Sequence, residues 1–450
     1  MDPEKQRLRT MLCLAALTYR RYTSWSPGTL HDQRLRSAVE NGLEEIADLR
    51  GRWDLAWGPE SYRAPFSLFD DAMMFVVRER KAPHRYVIAV RGTNPVSAFD
   101  WVLGDLWVAR PVPWPYGPKD AAAVSMSTAL GLIILQNMRA HGPDAPGGDL
   151  AALWKRVDAI ATKTGTIGTL AGQAVATILE TIGSGLRDAL ADVTPPPLPE
   201  LPDDAAMIRC IDRARGSVGK VFAEFDDSVS KLRAVGDFAH LGLFKLLGTA
   251  VRVRAAKAGG HDLPTFLRGV VETEGAVEIT VTGHSKGGAL APALALWLAE
   301  TQGAANDADV RWDPKKDAKV HCVAFAGPSP GNGEFARRFN RAFTDRFDRV
   351  VNDKDIVPCA WEPSTLGQIK SLYVPAPACP AELAILIESI AQRVEGLGYK
   401  HLGGRLKTLR PAIDAGAKSF AAQLIQQHLD GYFEALDLPL ETAVLFNPIA

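Results

Sequence analysis

The stretch Ala276-Val277-Glu278-Ile279-Thr280-Val281-Thr282-Gly283-His284-Ser285-Lys286-Gly287-Gly288-Ala289-Leu290 decides the fold class of this 450-residue chain. Its first half is short and rich in β-branched residues, which reads as a strand. Its second half runs on through Leu298 as small and apolar residues, which reads as a buried helix. Between them lies Gly-x-Ser-x-Gly. The glycines leave room for strand and helix to meet at a sharp turn, and the helix points its N-terminal N–H groups toward whatever reacts at Ser285. A serine hydroxyl is a weak nucleophile until a base takes its proton, so Ser285 is a candidate nucleophile in search of a base.

Working outward, strand patterns recur on both sides. Residues 72–78 and 85–90 read as strands upstream; residues 318–325, 348–351 and 371–375 read as strands downstream. Helical patterns such as residues 334–343 alternate with them. The alternation predicts an α/β fold with a mainly parallel sheet flanked by helices on both faces. Residues 3–50 read as two helices broken around Ser26-Pro27-Gly28. Residues 381–436 read as helical, with breaks near Gly396-Leu397-Gly398 and Gly403-Gly404. The region from about 119 to about 260 is rich in alanine and leucine and carries no clear strand signal. The spacing predicts a sheet-bearing core of residues 1–139 and 261–450, with residues 140–260 as a large helical insertion.

Composition bounds the function. Hydrophobic residues make up 47% of the chain, charged residues 23%, and the formal net charge is −1. That balance gives no basic excess for nucleic acid. The five cysteines are scattered, without a Cys-x-x-Cys pair, which argues against a disulfide framework or zinc site. No stretch reaches the roughly 18 uncharged apolar residues that span a bilayer. The apolar run near the N-terminus ends in Tyr19-Arg20-Arg21 without a cleavage site, so it reads as a helix and not a signal peptide. The expectation is a chain made soluble in the cytoplasm, with no metal and no cofactor.

Four stretches resemble the class 3 lipases, the fungal-lipase-like branch of the α/β hydrolases. They are Val90-Arg91-Gly92-Thr93 followed by Asp100-Trp101; Val281 through Ala289; Val351-Asn352-Asp353-Lys354-Asp355-Ile356-Val357-Pro358; and Tyr399-Lys400-His401-Leu402-Gly403 with His428-Leu429-Asp430-Gly431-Tyr432. The resemblance implies an α/β-hydrolase fold and a catalytic triad of Ser285, Asp355 and His428, in the chain order that fold requires. Asp353 is the second choice of acid. Only His401 and His428 follow Asp355; the family places its base near the C-terminus, which favours His428. The oxyanion hole is expected at the backbone N–H groups of Lys286 and Thr93. His284 and Trp101 are candidates for contact with substrate. The implied substrate is a lipid ester, an acylglycerol or a phospholipid, met with transient contact at a membrane surface. The insertion has no counterpart in that resemblance and reads as a lid, a cap or a docking element. A membrane-acting effector or toxin, or a partner-binding protein, is the alternative if the insertion carries the main biology.

Overall fold

The computed structural model describes residues 2–19, 29–62, 72–91, 111–140, 204–205, 260–303 and 311–443. Two helices open the chain, α1 (Pro3–Leu17) and α2 (Thr29–Glu45). Asp2 starts α1 by accepting the Glu4 N–H, with Pro3 in the first turn, where a missing N–H costs nothing. A seven-stranded sheet follows, its strands lying side by side in chain order. They are β1 (Trp53–Tyr62), β2 (Ala72–Glu79), β3 (Arg85–Val90), β4 (Glu278–His284), β5 (Lys319–Phe325), β6 (Phe347–Asn352) and β7 (Arg405–Leu409). The first two pairings are antiparallel; every pairing from β3 to β7 is parallel. The C-terminal ends of β3 to β6 therefore share one edge of the sheet.

Alternation along the strands builds two cores. Met74, Val76, Ile88, Val90, Ile279 and Val281 face one side, where they meet α3 (Met126–Asn137), α4 (Leu263–Glu274), α5 (Lys286–Glu300) and α6 (Gly333–Ala342). Met73, Phe75, Val77, Val87 and Ala89 face the other, where they meet α1, α2 and the C-terminal residues Tyr432 to Leu438. Leu12 to Leu17 of α1 are fully buried. Each buried leucine there is worth roughly 1.5–3 kcal/mol of apolar burial, so α1 is a structural helix of the core. A third, smaller cluster joins the segment after β6 to α7 (Ala381–Val394) and to Phe420 and Ala421, at the start of α8 (Phe420–His428).

Three expectations change. Residues 371–375 form no strand: Gly367–Ser371 is a 3-10 helix, turns follow, and Val374 is 68% exposed. Pro375 and Pro377 lack the N–H groups a ladder needs, which stops the apolar run from pairing. The last strand is β7, inside the region read as helical. It lies at the sheet's edge and reads Arg-Leu-Lys-Thr-Leu, half in solvent, so it lacks the apolar run of a central strand. At the opposite edge β1 was also missed; register shifts around Trp57 interrupt its alternation. The region after residue 119 does hold a short strand, Ala123–Ser125, paired with Pro111–Pro113. Apart from residues 140, 204–205 and 260, the insertion lies outside the described residues.

Candidate active site

Gly283, Gly287 and Gly288 let β4 turn into α5 at very close range. A Cβ on Gly283 would lie 2.4 Å from the Gly287 carbonyl oxygen; one on Gly288 would lie 2.2 Å from the Phe325 carbonyl oxygen. No side chain fits either place. The turn forces Ser285 to φ 62° and ψ −129°, a left-handed conformation rarely taken by residues with a Cβ. Two backbone hydrogen bonds hold it there, Ser285 N–H to Phe325 O at 3.0 Å and Gly288 N–H to Ser285 O at 2.8 Å. The Ser285 side chain does not cap α5. Its hydroxyl instead meets His428 Nε2 at 3.0 Å.

His428 is the last residue of α8, and its Nδ1 lies 2.9 Å from Asp355 Oδ2. Asp355 sits in the loop just after β6. Its Oδ1 accepts the Val357 N–H at 3.0 Å, and its Oδ2 also accepts the Tyr432 hydroxyl at 3.0 Å. A carboxylate is acceptor only, so the proton between Asp355 and His428 belongs to Nδ1. That fixes the tautomer. Nε2 is left as the acceptor facing the Ser285 hydroxyl, the arrangement a general base needs. Ser285, Asp355 and His428 are all buried.

A second ring of residues holds this row. Tyr432, in α9 (Asp430–Ala435), accepts the Asn352 N–H at 3.0 Å while donating to Asp355. Burial, with the Asp355 charge beside it, pushes its phenol well above the ordinary range, so it stays a donor. The Asn352 amide donates to Gln427 O at 2.8 Å, and its oxygen accepts the Lys354 N–H at 2.8 Å. Asn352 thus ties the acid's loop to the helix of the histidine. Gly431 leaves space for it, since a Cβ there would lie 2.7 Å from Asn352 Nδ2. These supporting residues were missed in the sequence, although the i, i+4 spacing of His428 and Tyr432 was a usable signal. At the other end of α8, Asp204 of the insertion accepts the Ala421 N–H at 2.9 Å, a carboxylate at the positive end of the helix.

The remaining candidates fall as follows. His284 is 1% exposed, with its ring 4.7 Å from that of His428. Its Nε2 donates to the His428 carbonyl at 2.9 Å, and burial, then the neighbouring His428, hold its pKa well below the usual histidine range. The ring is a neutral buried brace turned toward His428. Lys286 opens α5 directly after Ser285, at the helix's N-terminal turn. Asp353 turns away, pairing with Lys354 at 3.2 Å. His401 bonds Ser329 Oγ and Thr365 Oγ1 and has no place in the row. Thr93 and Trp101 lie outside the described residues. Among the described residues there is no cluster of side chains suited to a metal, and no helix long and apolar enough to cross a membrane.

A parallel sheet that delivers a strained serine from β4 to α5, with an acid after β6 and a histidine at the end, is the architecture of an α/β hydrolase. Residues 213–363 match the family model for lipase (class 3), and the chain is similar in structure to M37 lipase, at 23% identity over 98% of each chain with a TM-score of 0.65. Lipase II from Rhizopus niveus overlaps at 14% identity, 81% of this chain, 77% of that chain and a TM-score of 0.33. Among curated proteins no sequence matches. Residues 213–363, the segment that carries Ser285, thus resemble the class 3 lipases, and the chain has the α/β-hydrolase fold that M37 lipase shares with it.

Proposed function

We propose that the protein hydrolyses the carboxylic esters of lipids through an acyl-enzyme, with Ser285 as nucleophile, His428 as base and Asp355 as its orienting acid. The unbroken row from Asp355 Oδ2 through His428 to Ser285 Oγ, 2.9 Å and then 3.0 Å, supports this reading best. His428 Nε2 takes the hydroxyl proton as Ser285 attacks the ester carbonyl. The imidazolium that forms is stabilised by Asp355, whose remaining valences are already filled. The carbonyl oxygen becomes an anion, for which the Lys286 N–H at the start of α5 serves as one donor and Thr93, by the resemblance of the Arg-Gly-Thr stretch, as the second; such a donor is worth about 10²–10³ in turnover. His428 returns its proton to the leaving alcohol, and water, activated by the same imidazole, releases the acid. The substrate class is an acylglycerol or a phospholipid, met at a lipid surface. Residues 140–260 serve as the lid or cap over that acyl site.

The test pairs p-nitrophenyl esters of increasing chain length with emulsified triacylglycerol and phospholipid vesicles. Wild type is expected to prefer aggregated long-chain esters, with free fatty acid released; Ser285→Ala is expected to be inactive on all of them. Equal turnover by the two proteins removes Ser285 from the role. Release from only one lipid class fixes the head group.

A further inference from the structure

The turn that follows α1 reaches the Ser285 turn through Tyr19. Its hydroxyl donates to the His284 carbonyl at 3.0 Å, on the residue directly before the nucleophile. The edge of its ring meets the His284 ring, 6.2 Å between centroids at 77°. The guanidinium of Arg91 lies 5.5 Å from the centroid of the Tyr19 ring. Tyr19 and Arg91 are both buried, 2% and 4% exposed. Arg91 directly follows β3 and is anchored by its N–H to Met73 O at 2.9 Å. Two residues further on is Thr93.

These contacts form one continuous chain: Arg91, Tyr19, His284, then His428 through the His284 ring. The His284 carbonyl belongs to the residue that leads into the left-handed turn. A buried carbonyl in that position needs a donor, and the donor's place sets the plane of the His284–Ser285 peptide. A cation over the Tyr19 ring, desolvated as here, is a firm contact. The tyrosine thus lies between the end of β3, through Arg91, and the end of β4, through His284.

We infer that Tyr19 is a positioning residue for the nucleophile, setting the Ser285 turn against the end of β3. This rests on the proposed role of Ser285. Catalytic steps lose about 10²-fold when a reacting group is misplaced by 1 Å, so a smaller rotation of one peptide is expected to cost about tenfold.

The experiment measures the labelling rate of Ser285 by a fluorophosphonate, with the labelled peptide located by mass spectrometry, alongside kcat and KM on p-nitrophenyl butyrate. The full chain is used throughout. Tyr19→Phe keeps the ring and removes the hydroxyl; it is expected to label about tenfold more slowly and to lose kcat in proportion, with KM within about twofold. Arg91→Gln keeps the hydrogen bond and strips the cation from the ring; a loss of about threefold is expected. Thr282→Val is the comparison. It removes another bond between α1 and β4, Thr282 Oγ1 to Met11 O at 3.4 Å, without touching the His284 carbonyl. Its labelling rate is expected to match wild type even where its melting temperature falls. Wild-type labelling in Tyr19→Phe overturns the inference, as does an equal slowing in Thr282→Val. Labelling of wild type anywhere but Ser285 instead overturns the proposed nucleophile, which keeps the two failures distinct.

Discussion

Two serine–histidine pairs among the described residues, one buried and one part-buried, each have a carboxylate nearby. In one, Ser285 meets His428, and Asp355 takes the far nitrogen. In the other, Ser329 Oγ meets His401 Nδ1 at 2.6 Å, and Thr365 Oγ1 takes Nε2 at 2.9 Å. The tautomers are opposite. Thr365 gives its hydroxyl proton to the Cys359 carbonyl at 2.8 Å, so it accepts from His401 Nε2–H. Nδ1 is then the acceptor from Ser329. The carboxylate differs as well. Glu362 takes the His401 backbone N–H at 2.7 Å and pairs with Lys400, leaving the His401 ring 3.8 Å away. A proton added to His428 is met by Asp355; one added to His401 is met by a neutral hydroxyl. Ser285 is held at positive φ at the head of a helix, whereas Ser329 has an ordinary backbone four residues ahead of α6. A serine beside a histidine is thus not enough. The acid on the far nitrogen and the strained turn make the difference.

The largest expected effect comes from removing each serine in turn. Ser285→Ala is expected to lower kcat about 10⁵-fold or more, and Ser329→Ala to leave kcat within about threefold while lowering the melting temperature. A large kcat loss in Ser329→Ala would dissolve the distinction. Next come the carboxylates. Asp355→Asn forces the wrong His428 tautomer and is expected to cost about 10⁴-fold. Tyr432→Phe then tests the support of that acid. It removes one of the donors to Asp355 Oδ2 and leaves the Asn352 N–H without its acceptor, so a loss of about tenfold in kcat with KM unchanged is expected. Steady-state kinetics on one ester measures all of these.

The contrast also separates what a sequence can reveal from what it cannot. Gly-x-Ser-x-Gly between a strand and a helix is a local signal, since the turn's sterics require small residues at fixed offsets. Asp355 and His428 came from chain order and resemblance, because their meeting depends on how far the chain winds between β6 and α8. His401 and His428 are alike as residues; only the partners of their two ring nitrogens tell them apart, and those partners are 36 to 143 positions away in the chain. The central strands were readable since both faces are buried and their residues are apolar. The edge strands β1 and β7 were not, because half their environment is water and their composition follows it. The buried His284 shows the same limit, with its backbone joined to Ser285 and its ring turned inward to brace His428.

The smallest effect, and the one that tests the second pair directly, is in stability against pH. Burial, then the nearby Arg349 cation, pushes the His401 pKa down to about 3 in the folded protein; Lys400 adds to this and Glu362 opposes it. The unfolded chain takes up that proton near 6.5, so between pH 6.5 and 3 it binds more protons than the folded one. Stability therefore falls as pH falls through that window. Burial alone would raise the Glu362 pKa, yet its hydrogen bonds from Lys400, His401 and Ser364 outweigh it and hold the pKa at about 2. Its contribution has the same sign, but is lost only from about pH 4.5 downward. Between pH 6.5 and 4.5 the histidines work against two carboxyls of opposite sign, Asp430, which burial raises to about 6, and Glu300, also raised by burial, so the comparison of wild type with a His401 variant, in which those terms cancel, isolates His401. His284 and His321, also depressed by burial, contribute there with the same sign as His401. His401→Gln keeps an amide that can reach a hydroxyl and cannot titrate. The melting temperature of wild type is expected to drop between pH 6.5 and 4.5, and that of His401→Gln to drop less steeply, with kcat at pH 8 within a few-fold of wild type. A variant with an unchanged slope would mean that His401 is not held neutral by its surroundings. One with its slope flattened but its turnover abolished would move the base from His428 to His401.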